Sequence, residues 1–166
     1  MLKRILCATL ASGALVLSGS AAAQELKIAL IAGKTGPLEA YAKDTEKGFM
    51  LGLEYLTNGT MALNGRKIRV IVKDDQLKPD LGKAMLAEAY ADDKVDIAVG
   101  TTSSGVALAM LPVAEEYKKV LIVEPAVADA ITGDKWNRYI FRTGRSSAQD
   151  AIANAVALGK ANTSIA

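Results

Sequence analysis

The chain has 166 residues, with 20 lysines and arginines, 18 aspartates and glutamates, one cysteine and no histidine. Without histidine, Ser-His-Asp and Cys-His catalysis are excluded, as are zinc sites that need an imidazole ligand. A chain of this length suits one modest domain, and its nearly balanced charge leads us to expect no nucleic-acid partner.

The first 23 residues have the three parts of a cleaved signal peptide. Lys3 and Arg4 precede an apolar run, and small residues occupy positions 21–23. The alternative is an uncleaved membrane anchor, but the apolar run is shorter than the roughly 20 residues a spanning helix needs. We therefore expect export to the periplasm. The chain from Gln24 would then lack cysteine and carry 18 basic and 18 acidic residues, because Lys3 and Arg4 are removed.

The next segments alternate between strand and helix patterns. Leu26–Ile31 is a short apolar run typical of a buried parallel strand, and glycines follow it without the G-x-G-x-x-G pattern of dinucleotide sites. Lys67–Lys73 alternates as a second strand. A helix is predicted between them from about Tyr41 to Thr57. Its sheet-facing residues are predicted to be Phe49, Leu53 and Leu56.

Asp74 and Asp75 follow the second strand, and adjacent carboxylates can bind a metal or act in catalysis. Neighbouring strand residues point to opposite faces, so this pair converges only if the strand has already ended. We interpret the two as polar loop residues before a helix that Pro79 begins, and we expect no metal and no cofactor.

The segment from Val95 to Asp129 predicts a strand–helix–strand unit with two turns at one edge of the sheet. The first turn, Thr101–Ser104, leads into a helix N-terminus, where free N–H groups favour a carboxylate or phosphate. The second turn is Pro125–Ala128. In parallel sheets ligands bind at this edge, although helix capping by one hydroxyl is the alternative explanation of the first turn.

The remaining chain predicts one more strand and helix. Trp136–Thr143 is expected to be extended, and Ser146 or Ser147 to cap a helix whose apolar stripe is Ile152 and Val156. Residues 163–166 resemble the start of a further strand. The alternation of strands and helices predicts an α/β fold with a doubly wound parallel sheet.

Short motifs in this order resemble a known family, the type I periplasmic solute-binding proteins of ABC importers, in its branched-chain amino acid (Leu/Ile/Val) group. The motifs that carry the resemblance are Leu26–Ile31, Thr35–Pro37 with Tyr41, Asn64–Arg66, Lys73–Gln76 with Pro79, Val99–Gly105, Pro125–Ala126 and Phe141–Thr143.

The resemblance implies a clamshell of two α/β lobes that closes over a small carboxylate-bearing solute. Ser104, with Ser103 as a second candidate, would bind the ligand carboxylate by hydroxyl and backbone N–H. Ala126 and Ala128 would add backbone contacts, and Tyr41 would line the pocket. Branched-chain amino acid binders tend to have a hydroxyl residue where this chain has Ala128, so aromatic carboxylates remain an alternative ligand class.

The resemblance also implies the domain arrangement. Residues 24–143 would form the first lobe and residues 144–166 the start of a truncated second lobe. The chain would then be the N-terminal portion of a monomeric, non-enzymatic binding protein that serves an ABC permease in the inner membrane. Binding by the isolated portion should be weak. A ligand-sensing subunit and a response-regulator receiver are the alternatives, and the predicted export argues against the receiver.

The signal peptide makes the first prediction. Cleavage after Ala23 should leave mature protein whose sequence begins at Gln24, because small residues precede that position. N-terminal sequencing of the periplasmic fraction tests this. A membrane-bound product that retains Met1 would show that the segment is an anchor.

Overall fold

The computed structural model describes residues 25–160, so the predicted signal peptide and the predicted strand start at 163–166 lie outside the described residues. The strands are β1 (Leu26–Ala32), β2 (Ala62–Leu63), β3 (Arg66–Asp74), β4 (Ile97–Gly100), β5 (Val120–Val123) and β6 (Ile140–Arg142). The helices are α1 (Glu39–Leu56), α2 (Pro79–Ala91), α3 (Ser104–Tyr117) and α4 (Ser147–Lys160), with a 3-10 turn at Asp129–Ile131.

The described strands form one sheet in the order β2-β3-β1-β4-β5-β6. All pairs are parallel except β2–β3, which is a short antiparallel hairpin. The chain leaves β1 toward β3 and then crosses back to β4 on the other side of β1. This confirms the predicted doubly wound α/β fold. The hairpin itself was not predicted, because a two-residue strand is too short to show alternation.

Two apolar layers cover the sheet. Helices α2 and α3 share one face, and they approach closely because residue 82 is glycine: a Cβ there would lie 2.3 Å from Val106 Cγ1. Helix α1 covers part of the opposite face with Phe49 and Leu53. The prediction that Leu56 faces the sheet was wrong, since its side chain is 61% exposed. Leu56 is the last residue of α1, where the chain turns away toward the hairpin.

The predicted extended segment at Trp136–Thr143 is shorter than expected. Only Ile140–Arg142 pairs with β5, while side-chain hydrogen bonds hold the preceding residues in a loop. The indole N–H of Trp136 donates to the Ile140 carbonyl at 2.9 Å, and the Asn137 amide donates to the Leu111 carbonyl at 2.9 Å.

Helix α4 begins as predicted but packs against little. The Ser146 N–H donates to Gln149 Oε1 at 2.8 Å and the Gln149 N–H donates to Ser146 Oγ at 3.4 Å, which is a capping box. The predicted stripe of Ile152 and Val156 is exposed, and no residue of α4 is buried. None of the helices between residues 25 and 160 is long and apolar enough to cross a membrane.

Truncating a buried side chain in the core between the sheet and helices α2 and α3 should create a cavity and destabilise the fold. Leu86 is 0% exposed, so Leu86→Ala should lower the free energy of unfolding by about 2–5 kcal/mol. Leu51 on α1 is 64% exposed, and the matched control Leu51→Ala should change it by less than about 0.5 kcal/mol. Urea unfolding of both variants measures the difference. Equal costs would contradict the assignment of Leu86 to the core.

Candidate functional site

The carboxyl ends of β1, β4 and β5 bring three loops together. These loops are 33–38, 101–103 and 124–128. The strand order reverses between β1 and β4, because the connections after β1 and after β3 run in opposite directions across the sheet. Such a switch point opens a crevice between neighbouring loops, and ligands of doubly wound sheets bind there.

A buried carboxylate, that of Asp75, is hydrogen-bonded to the loop after β4. Asp75 is 0% exposed, and it accepts hydrogen bonds from the Thr101 hydroxyl and, at 2.8 Å, from the Leu77 N–H. Burial raises the pKa of the Asp75 carboxyl above its usual range, an effect that these two hydrogen bonds oppose. The contact joins the end of β3 to the end of β4 across β1.

The neighbouring aspartate has a different role. Burial acts to raise the pKa of Asp74, but its hydrogen bonds from Thr35, Gln76 and Lys34 outweigh that effect and hold the pKa below its usual range. Asp74 therefore orders the loop after β1, whereas Asp75 faces the loop after β4. Between residues 25 and 160 no group of three or more acidic, cysteine or histidine side chains could hold a metal.

The chain approaches itself closely at the end of β4. A Cβ at Gly100 would lie 2.1 Å from the Ile31 carbonyl oxygen, and its φ of +148° also favours glycine. Next to it, Thr102 Oγ1 accepts the Gly33 N–H at 3.0 Å. The loops after β1 and β4 are thus linked side by side.

The two serines at the start of α3 differ in their contacts. Ser103 is the N-cap residue but its side chain makes no capping hydrogen bond. Ser104 Oγ accepts the N–H groups of Val127 at 3.3 Å and Ala128 at 3.1 Å. Capping therefore does not explain these hydroxyls. The Ser104 hydroxyl proton has no acceptor within residues 25–160, so it is available to a ligand.

The second turn is held by the rest of the sheet edge. The Ala126 N–H donates to the Thr101 carbonyl at 3.3 Å, and the Ala128 carbonyl accepts Arg142 Nη1 at 3.0 Å. The Val127 carbonyl accepts the Ser147 hydroxyl at 3.0 Å, which connects this turn to the start of α4. The N–H groups of both alanines therefore have partners within the chain: that of Ala128 bonds to Ser104 Oγ, and that of Ala126 joins the second turn to the first.

A cavity of about 250 Å³ lies over these turns. It brings together three of the five residues predicted from sequence, namely Tyr41 in the first turn of α1, Ser104 and Ala126. Ser103 and Ala128 do not line the cavity, but each is adjacent in sequence to a residue that does. The lining residues are Leu38, Tyr41, Thr102, Ser104, Pro125, Ala126, Val127 and Arg145.

A larger cavity of about 520 Å³ lies on the α1 face of the sheet. Phe49, Val99 and Ile122 give it an apolar wall, and the carboxylates of Asp44 and Glu124 contribute to its lining. Those carboxylates would repel an anion. The smaller cavity is the better site for a carboxylate, because a hydroxyl donor and a helix N-terminus converge on it.

Comparison with known proteins identifies the family. The sequence profile of the family described as periplasmic binding protein matches residues 25–166. The chain belongs to the periplasmic binding protein family. Its members are solute-binding components of transporters, as expected from the motifs. The relatives belong to the Leu/Ile/Val-binding group and its ABC transporters, which confirms the resemblance found in the sequence.

Three relatives of this periplasmic binding protein are informative. It is 77% identical to the crystal structure of an ABC-type branched-chain amino acid transporter protein from Rhodopseudomonas palustris, with a TM-score of 0.78 over 81% of this chain and 36% of that one. It is 31% identical to a solute-binding protein of the same species in complex with 3,4-dihydroxybenzoic acid, with a TM-score of 0.73 over 82% and 36% of the two chains. A leucine-, isoleucine-, valine-, threonine- and alanine-binding protein of Pseudomonas aeruginosa is 29% identical over 82% of this chain and 36% of its own length. The chain thus spans little more than a third of the length of these relatives.

Two features of the site were missed in the sequence. Arg145 lines the cavity, and Asp75 is buried beneath it. The sequence places Arg145 in the loop after a strand, at the sheet edge where ligands bind, and this position could have suggested a role. The neighbouring residues, however, do not indicate where its side chain points. The sequence interpretation of both aspartates as polar loop residues did not anticipate that Asp74 ends β3 or that Asp75 is buried, because its partner Thr101 is 26 positions away along the chain.

The two aspartates predict opposite pH dependences of stability. Since the folded pKa of Asp75 is raised, its charged form destabilises the fold, and this cost is relieved as the pH falls through that pKa toward the unfolded value of 3.8. As the pH rises from about 4 to about 7, Asp75→Asn should therefore gain stability relative to the unaltered protein. Since the folded pKa of Asp74 is lowered, its charged form stabilises the fold, and this contribution is lost as the pH falls below the unfolded value of 3.8 and through the folded pKa. Asp74→Asn should therefore lose stability relative to the unaltered protein as the pH rises from about 2 to about 4.

Urea unfolding at about pH 2, 4 and 7 measures these differences, with the lower interval testing Asp74→Asn and the upper interval testing Asp75→Asn. The sign of the change with pH is the readout, because either substitution also alters hydrogen bonds by a constant amount. Changes of the same sign in both variants would contradict the contrast between the two environments.

Proposed function

We propose that the protein is the extracytoplasmic solute-binding component of an ABC importer and that it captures a small carboxylate-bearing solute over Ser104. The observation that supports this most is the Ser104 hydroxyl, which accepts two backbone N–H groups and has its own proton available at a cavity. Its place at the first residue of α3 adds the positive end of the helix dipole.

The chemistry of this site suits an anion. A hydroxyl that accepts two hydrogen bonds is polarised and becomes a stronger donor. The first N–H groups of α3 lack acceptors within the helix and provide further donors beside Ser104. A ligand carboxylate loses hydrogen bonds to water when it enters the cavity. Charge-assisted hydrogen bonds from the Ser104 hydroxyl and from the first N–H groups of α3 would replace them.

The rest of the cavity favours a carboxylate with an apolar body. Tyr41, Leu38 and Pro125 present carbon surface to the cavity, and Ala128, whose backbone N–H bonds to Ser104 Oγ, has no hydroxyl. An aliphatic amino acid is one candidate. An aromatic carboxylate is the second, and the absence of a hydroxyl at Ala128 favours it, because an amino acid has an additional polar group to satisfy.

We propose that a second lobe completes the site, with residues 24–143 as the first lobe and residues from 144 onward as the start of the second. Two apolar features support this: the cavity wall of Phe49, Val99 and Ile122, which α1 covers only in part, and the exposed stripe on α4. Such surfaces are normally covered by further structure. We infer a monomer that is exported to the periplasm, is not an enzyme, and delivers its solute to a membrane permease.

Ser104→Ala should weaken binding of the cognate acid by roughly ten- to a hundredfold, because a hydrogen bond to a charged group contributes about 1.5–3 kcal/mol. The test is calorimetric titration of protein expressed from its complete reading frame with leucine and with 3,4-dihydroxybenzoic acid. Binding of neither acid to the unaltered protein would contradict the proposed ligand classes.

Ser103→Ala is the matched control. The Ser103 side chain makes no capping hydrogen bond and is not assigned to the cavity lining, so its removal should have a much smaller effect. An unchanged affinity in Ser104→Ala would assign that hydroxyl to positioning the second turn alone. Urea midpoints of both variants separate lost affinity from lost folding.

A further inference from the structure

The cavity over Ser104 includes a cation that the proposed carboxylate contacts do not use. Arg145 lines this cavity together with Ser104, Tyr41 and Ala126. It lies in the loop between β6 and α4, at the same sheet edge as the two turns. An arginine in this position offers up to five N–H donors in a plane that matches the two oxygens of a carboxylate.

Within the described residues, the recorded partner of Arg145 is Asp150. Arg145 Nε lies 2.5 Å from Asp150 Oδ1, and Asp150 is in the first turn of α4, where the helix dipole favours an acidic side chain. This contact uses the Nε donor. The two terminal amino groups of the guanidinium have no recorded partner between residues 25 and 160.

The Arg145–Asp150 pair is exposed enough to be exchanged. The side chain of Arg145 is 62% exposed and that of Asp150 is 39% exposed. Exposed ion pairs contribute little to stability, because solvent screens the charges and two flexible side chains must be ordered. A ligand carboxylate can therefore bind the remaining donors or displace Asp150 at small cost to the fold.

We propose that Arg145 determines the specificity of this site for anionic solutes by binding the same carboxylate that Ser104 receives, and that Asp150 tunes the affinity by competing for the guanidinium. This inference rests on the proposed function. It restricts the ligand class further, because a neutral solute of the same shape gains nothing from Arg145. A change at either Arg145 or Asp150 would therefore alter the affinity for the ligand carboxylate.

Substitutions of the two residues have opposite expected effects. Arg145→Gln should weaken binding of the acid by about tenfold, since it removes charge-assisted hydrogen bonds from a partly solvated site. Asp150→Asn should tighten binding by about threefold, since it removes an exposed competitor. Arg145→Lys should recover part of the affinity, because the charge returns without the planar pair of donors.

The experiment titrates each variant, expressed from its complete reading frame, with 3,4-dihydroxybenzoic acid, its carboxamide and leucine. The readout is the ratio of acid to amide affinity, which a purely structural role of Arg145 would not change. We expect Arg145→Gln to reduce this ratio and Asp150→Asn to increase it. If an acid binds the unaltered protein and both ratios stay constant, Arg145 has no such role while the proposed function stands. If neither acid binds the unaltered protein, the proposed ligand class fails as well.

Discussion

The contact between the buried Asp75 carboxylate and the Thr101 hydroxyl is the interaction on which the site geometry depends. It joins the ends of β3 and β4 over β1, where the strand order reverses. A carboxylate is costly to bury, and hydrogen bonds from Thr101 and Leu77 offset part of that cost. Losing either hydrogen bond would leave the buried carboxylate less compensated, so the contact strongly favours one arrangement of the loop that leads into α3.

Ser104 extends this constraint upward to the surface. Its Oγ accepts two N–H groups from the second turn, and Ser104 lines the cavity. The turn is fixed in its other direction by Arg142 and Ser147, which donate to its carbonyls. A ligand bound at Ser104 is thus linked by hydrogen bonds to the start of α4, the segment that we propose to lead into a second lobe.

The two faces of the sheet differ in how completely their apolar surface is covered. The α2–α3 face of the sheet has a closed core, whereas α1 covers the opposite face only in part. This difference is the observation behind the proposed second lobe. In the proposed two-lobed protein the second lobe would close the cavity over Ser104 and exclude water from it. Hydrogen bonds from the donors in this cavity would then become stronger, because the local dielectric constant falls.

The sequence by itself determined the order of strands and helices apart from the β2–β3 hairpin, the doubly wound sheet, the two turns at its edge and Ser104 within one of them. Those features follow from local periodicity, turn residues and the rule that parallel strands end at a common edge. Only the tertiary structure decided that Leu56 faces solvent, that β6 is three residues long, that Asp75 is buried against Thr101 and that Arg145 lines the cavity. These depend on side chains that meet across large separations in the chain, where the direction of each is set by packing and by hydrogen-bond partners that no local pattern encodes.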